Sequence, residues 1–217
     1  MQTKLISITQ PLIKTEDGSR LLTAEEYIVY CARVSNPSNQ LNLDTAPKLI
    51  KYLINHKHWS PMEMASATIE IKTSRAIAAQ ILRHRSFSFQ EFSQRYASII
   101  GTEKIEWRMQ GKTNRQVGDE VVKLPIKLED DFQWIQDKCE DLYHDLIKEG
   151  IAKECARMVL PLNTSTMIYM SGTIRSWIHY IDIRAKEDTQ KEHREIAYEI
   201  KDIFKNNFPN IAEALNY

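Results

Sequence analysis

Between Arg83 and Tyr96 the chain sets three arginines, a histidine, a glutamate and three serines within fourteen residues, directly after the run Thr73–Leu82. Guanidinium groups this dense repel one another and are costly to desolvate, so they cannot pack into a core without a compensating anion. The stretch must therefore lie at a surface, either as a solvated basic turn or as the wall of an anion site. The preceding run restricts the backbone further. Ile77, Ala78, Ile81 and Leu82 share one face at the helical period, while Gln80, Arg83 and His84 share another. This predicts a helix over 75–85. Arg85 would fall on the apolar side if the helix went on, so the chain is expected to turn through Ser86–Phe89 into an extended segment. There Glu91, Ser93 and Arg95 would alternate with Phe92 and Gln94.

The 217 residues suffice for one ordinary domain with a substantial core. Lys plus Arg number 29 and Asp plus Glu number 29, so no overall field draws the chain toward nucleic acid or membrane, and the basic cluster is a local property. No apolar run reaches the roughly 20 residues a bilayer requires, and no signal-peptide pattern opens the chain. Three cysteines without paired spacing point to a reducing, cytoplasmic setting.

Leu5, Ile6 and Ile8 read as a short strand. Thr23-Ala24-Glu25-Glu26 forms a capping box ahead of a helix, Asp44 is placed to cap a second, and Thr189-Gln190-Lys191-Glu192 opens the last long one. Ala67, Ile69 and Ile71 alternate with polar residues as a half-buried strand. Residues 101–128, with Gly101, Gly111 and Gly118, read as a long connection. Phe132, Ile135, Cys139, Leu142 and Leu146 follow the rhythm of a long packed helix. A helix carrying Arg157 should end at Pro161, with a strand over 163–170. In Ser171–Arg184, Ile174, Trp177, Ile178 and Ile181 form an apolar face opposite Arg175, His179 and Asp182. His56, His58 and Glu63 lack the spacing of a helix-borne zinc site, so no metal is expected there.

The order Arg83-His84-Arg85, seven residues, then Ser93-Gln94-Arg95-Tyr96 resembles the signature of the flavin-dependent thymidylate synthases, the ThyX family. Agreement in order and spacing extends over nearly the whole chain except 101–128. The resemblance implies an α+β ThyX-type fold, a small antiparallel sheet with long helices, forming one catalytic domain over 1–217 and assembling as a homotetramer with shared active sites. It implies FAD as cofactor, NADPH as reductant, 5,10-methylenetetrahydrofolate as carbon donor and dUMP as substrate, with no membrane or nucleic-acid partner. Its FAD contacts carry over to Ser60 and Glu63 in His58-Trp59-Ser60-Pro61-Met62-Glu63, to Arg83, His84, Arg85 and Glu91, and to Thr173, Arg175 and His179. Its dUMP contacts carry over to Gln80, Arg83, Glu91, Ser93, Gln94, Arg95, Arg157 and Arg184. His58 is the folate-side candidate. Arg184 matches the arginine that promotes loss of the uracil N3 proton. Family members often have Asn at Thr173 and His at Asp188, and nothing is carried over to Asp188.

The residues themselves fit such chemistry. Cys31 and Cys139 sit on apolar helix faces, and Cys155 lacks partners that would activate it, so a thiol nucleophile is not expected. Ser93 has no histidine–carboxylate pair spaced to activate it and reads as a phosphate ligand. Glu91 reads as an orienting group. A guanidinium beside the pyrimidine edge would stabilise its deprotonated form electrostatically. No G-x-G-x-x-G follows a strand, so no Rossmann site is expected. Two other readings remain at this point. One is a nucleotide- or single-strand-binding module with Phe87, Phe89 and Phe92 as stacking groups. The other is a structural helical oligomer whose arginines pair with acids across subunits.

Overall fold

Ala67, Ile69 and Ile71 turn inward and are buried, and the strand they belong to is the centre of the fold. The computed structural model describes residues 1–99 and 101–217. In chain order the elements are β1 (Gln2–Ile8), α1 (Ala24–Ala32), α2 (Ala46–Asn55), β2 (Ser66–Ser74), α3 (Arg75–Ile81) and β3 (Ser88–Glu91). They continue as β4 (Arg108–Gln110), β5 (Gly118–Val121), α4 (Ile126–Lys148), α5 (Lys153–Ala156), β6 (Ser165–Thr173), α6 (Ile174–Arg184), α7 (Lys191–Asn207) and α8 (Pro209–Ala214). The main sheet is antiparallel in the order β1-β2-β6-β3, and β4-β5 form a separate hairpin. The fold is α+β, as expected.

One face of the sheet carries the core. Ile69, Ile71, Ile168 and Met170 meet Ile77 and Ile81 of α3, Trp177 and Ile181 of α6, and Ile196, Ile200 and Phe204 of α7. Trp177 is fully buried, and its indole N–H donates to the Ala67 carbonyl at 3.1 Å, so the polar handle is satisfied. Glu25 of α1 accepts from Asn210 Nδ2 (2.6 Å) and the Ile211 backbone N–H (2.8 Å), tying α8 to α1.

β2 and β6 run side by side from Ser66↔Thr173 to Ser74↔Ser165. At about 3.4 Å per residue, the ends of β6 stand about 27 Å apart. Each strand hands directly into a helix, at opposite ends. Ser74 caps α3 with a 3.4 Å bond from Ile77 N–H, and Thr173 caps α6 with a 3.3 Å bond from Ser176 N–H.

Several expectations are corrected. The helix predicted to Arg85 stops at Ile81, and residues 82–87 turn instead. Phe87 explains the turn: it is buried edge-on against Trp177 (4.7 Å) and over Gly172, where an added Cβ would lie 2.5 Å from its ring. The extended segment ends at Glu91, and Ser93–Tyr96 form a turn in place of the predicted alternation. Asp44 does not cap α2; Thr45 occupies that position without a side-chain bond, and Pro47 sits in the first turn as expected. The capping box at Thr189 does not form, because its hydroxyl donates to the Ile183 carbonyl (3.3 Å) and Gln190 takes the cap position. Residues 101–128 hold the β4–β5 hairpin. Arg157 follows a four-residue helix and begins a 3-10 turn. The strand expected over 163–170 is β6 and begins at Ser165.

The largest departure is α4. Its apolar stripe is wider than the chain can cover. Phe132 turns inward, edge-on to Trp107 at 5.0 Å, and Tyr143 is buried. Leu128, Ile135 and Leu142, spaced seven apart, are about half exposed at 53%, 50% and 48%, and Trp134 is exposed by 63%. The predicted packed helix is packed on one side only.

Candidate active site

The strand-to-helix junction at Thr173 opens a cavity of about 590 Å³. Glu63, Ser86, Thr173, Arg175 and His179 line it, with Trp59 and Ile178 as apolar wall. Four of the candidate flavin residues, Glu63, Thr173, Arg175 and His179, are therefore brought together from two separate segments. Arg175 is ion-paired with Glu63 across the mouth. Ser60, the first residue of a 3-10 turn, is exposed beside this cavity but does not line it. His58 is exposed, edge-on to Tyr52 at 5.8 Å, and Tyr52 stacks on His56 at 4.0 Å.

The junction at Ser74 opens the second site, a cleft of about 280 Å³ lined by Arg75, Gln94, Arg157, Leu160, Leu162 and Thr164 among others. Gln94 is only 6% exposed, and its Nε2 has no partner among the described residues. A buried donor without an acceptor is costly, and an anionic oxygen in the cleft would satisfy it. Arg157 has no carboxylate partner among the described residues; its Nε reaches only the Glu154 carbonyl at 3.4 Å. Glu91 pairs with Arg75 and accepts from Thr166 Oγ1 at 3.1 Å, the orienting role read for it. Arg75 itself was missed. A cation in the first turn of a helix opposes the dipole, and that local misfit was the available signal.

The basic stretch is therefore split in space. β3 carries it along the sheet, so that Ser86 faces the first cavity and Gln94 the second. Arg83, Arg85, Ser93 and Arg95 are exposed, and among the described residues none of these arginines meets a carboxylate. Phe87 is buried, and Phe89 and Phe92 are half-buried, so the three phenylalanines do not form the exposed stacking platform that nucleic-acid binding would need.

Arg184, at the end of α6, donates its Nε–H to His84 Nε2 at 2.9 Å. His84 must then be neutral with its proton on Nδ1. Burial first, then the charges of Arg184 and His179, hold its pKa down at about 4. Its ring lies edge-on to Tyr180 at 4.9 Å. The remaining guanidinium N–H groups of Arg184 have no carboxylate partner among the described residues. Gln80 lies on the other side of this cluster, bonded to Gln190 and His193.

Residues 19–210 match the family model described as thymidylate synthase complementing protein. A relative from Paramecium bursaria Chlorella virus 1, named a probable flavin-dependent thymidylate synthase, is 52% identical with full coverage of both chains. One from Synechocystis, named a flavin-dependent thymidylate synthase, is 48% identical, again with full coverage of both. The chain belongs to the flavin-dependent thymidylate synthase family. The crystal structure of a UMP/dUMP methylase, PolB, from Streptomyces cacaoi has the same fold, with a TM-score of 0.82 at 21% identity, covering 99% of this chain and 94% of that one. Two arginine-lined cavities occupy opposite ends of the β2–β6 pair. Among the described residues no cysteine lines either cavity: Cys31 and Cys139 are half-buried on helices, and Cys155 is exposed on α5.

Proposed function

We propose that this chain is a homotetrameric, FAD-dependent thymidylate synthase acting as one catalytic domain. It methylates dUMP to dTMP with 5,10-methylenetetrahydrofolate as carbon donor and NADPH as reductant. The observation that carries this is the 52% identity over the full length to a relative of that name. The PolB structure, described as bound with 5-Br dUMP, supports a uridylate substrate for the same fold.

The Arg75–Gln94–Arg157 cleft holds the dUMP phosphate, with Ser93 and Arg95 on the adjoining turn. Its orphaned Gln94 amide and unpaired Arg157 suit an anion of that kind. The cavity at Arg175 and His179 would hold part of the flavin dinucleotide, with Arg175, paired here with Glu63, as its cationic contact and Ser60, Arg83, His84 and Arg85 at its margin. His58 lies at the folate side. When bound and reduced, FAD would supply the hydride that completes the methyl group. Arg184 stabilises the uracil once N3 has lost its proton, so that C5 becomes nucleophilic without a thiol adduct. Its bond to neutral His84 fixes the guanidinium plane and leaves its full charge for the base.

Two features support assembly from several copies. The two sites stand about 27 Å apart along β6, beyond the reach of one small substrate. α4 leaves Leu128, Trp134, Ile135 and Leu142 exposed, an apolar surface that a second copy would cover.

The purified protein should be yellow, lose flavin absorbance near 450 nm on anaerobic addition of NADPH with dUMP, and regain it in step with dTMP when the folate is added (~450 nm being the usual oxidised-flavin band). Protein that takes up no FAD, or flavin that reoxidises without forming dTMP, would overturn the proposal.

A further inference from the structure

Gln80 stands in the middle of a row of side-chain hydrogen bonds that joins α6, α3, α7 and the β4–β5 hairpin. The Tyr180 hydroxyl lies 3.0 Å from His193 Nε2, and His193 Nδ1 lies 3.3 Å from Gln80 Oε1. Gln80 Nε2 donates to Gln190 Oε1 at 2.7 Å, and Gln190 Nε2 donates to Glu192 Oε2 at 2.9 Å. Arg108 of β4 closes the row on Glu192 Oε1 at 2.5 Å. Glu106 ties the hairpin down again, accepting from Arg108 (2.9 Å) and Lys191 (2.7 Å).

The direction of every bond follows from the carboxylate end. Burial works against ionisation of Glu192, but the bond from Arg108 leads the hydrogen bonds that hold its carboxyl below the usual range. An ionised carboxylate can only accept. Gln190 must therefore turn its NH2 toward Glu192 and its oxygen toward Gln80, and Gln80 must answer with its own NH2. The Gln80 oxygen then faces His193, whose Nδ1 must carry the proton and whose Nε2 must accept from Tyr180. His193 is fully buried; burial first, then Arg184 and His84, lower its pKa to about 3, so the ring is neutral, as this pattern requires.

We propose that His193 and Glu192 are positioning residues for the nucleotide, fixing which way round the Gln80 carboxamide is presented to it. The row consumes one N–H and one lone pair of Gln80. One N–H and one lone pair remain, in a fixed order. A uracil edge alternates carbonyl acceptors with a ring nitrogen, so a flipped carboxamide would set acceptor against acceptor. This rests on the assignment of Gln80 to dUMP above. No sequence motif marks His193: it is an interior residue of α7, and only its burial against Gln80 and Tyr180 reveals it.

The test is a dUMP titration of FAD-loaded enzyme carrying Gln80→Ala, His193→Asn, His193→Gln or Glu192→Gln. An asparagine amide can take the place of Nδ1 and still donate to Gln80, whereas a glutamine amide reaches the Nε2 position and serves only Tyr180. Glu192→Gln keeps the shape but removes the acceptor-only end. His193→Gln and Glu192→Gln should raise KM for dUMP about tenfold, the loss of one well-placed hydrogen bond. Their kcat should change by less than about threefold. His193→Asn should stay near wild type, and Gln80→Ala should raise KM as well. The proposal is overturned if KM rises for Gln80→Ala but not for His193→Gln and Glu192→Gln, or if their defect lies in kcat alone, as a general weakening of the fold would give. If Gln80→Ala leaves KM unchanged, the nucleotide assignment of Gln80 fails, and the positioning role with it. If the His193 variants do not fold, the Glu192→Gln result decides.

Discussion

Arg184→Ala is expected to lower kcat for dTMP formation by about a hundredfold to a thousandfold, the range seen when one preorganised transition-state donor is removed. FAD binding and NADPH reduction should survive. The reason for the separation is geometric. Arg184 does not line the cavity that holds Arg175 and His179; among the described residues its one side-chain hydrogen bond runs to His84. Removing it frees His84 from a neighbouring positive charge, but the half-buried ring stays packed against Tyr180, so the local structure should hold. Rapid-quench measurement of dTMP in a single turnover separates chemistry from product release. An unchanged single-turnover rate would remove Arg184 from the mechanism.

A comparable loss is expected from α4, none of whose residues lines either cavity. Trp134→Lys combined with Leu142→Lys should convert the proposed tetramer to smaller species and abolish turnover while the far-ultraviolet circular dichroism is retained. Both side chains are about half exposed or more and take no part in the single-chain core, so the substitutions remove nothing that holds one copy together. An interface tryptophan contributes about 2–4 kcal/mol when it anchors a contact, and lysine there adds a desolvation cost. Sedimentation at micromolar concentration gives the answer. A double variant that remains tetrameric and active would assign the α4 face to some other purpose.

Much of the fold was legible because its core obeys simple periods. Ala67, Ile69 and Ile71 alternate, and Ile174, Trp177, Ile178 and Ile181 recur at helical spacing; all are buried where those periods place them. Boundaries were lost where tertiary contacts overrule local signals. α3 stops at Ile81 because Phe87 must turn back onto Gly172 and Trp177, a contact 85 residues away in sequence for the glycine. Thr189 has the pattern of a cap, yet its hydroxyl is taken by Ile183 of the preceding helix. The α4 stripe showed that an apolar face existed, but periodicity alone does not say whether the chain itself or another copy covers it.

The site was legible in its residue types and not in its arrangement. The run Arg83–Arg95 reads as one cluster, whereas β3 stretches it between two sites. Glu91, read as an orienting group, pairs with Arg75, which lies sixteen residues earlier and carries no motif. Likewise, the path from Gln80 to Arg108 passes through a hairpin that looked like plain connection.

In the proposed assembly the phosphate cleft of one copy meets the flavin cavity of another. Co-expression of Arg157→Glu chains with Arg175→Glu chains tests this directly, because each variant spoils one of the two sites and leaves the other intact. Each alone should be nearly inactive. Mixed tetramers, isolated through two different tags, should recover activity up to about a quarter of wild type, since random pairing in a symmetric oligomer joins an intact cleft to an intact cavity in that share of sites. Mixed tetramers no more active than their parents would mean that both groups serve a site within one chain, and would contradict the account.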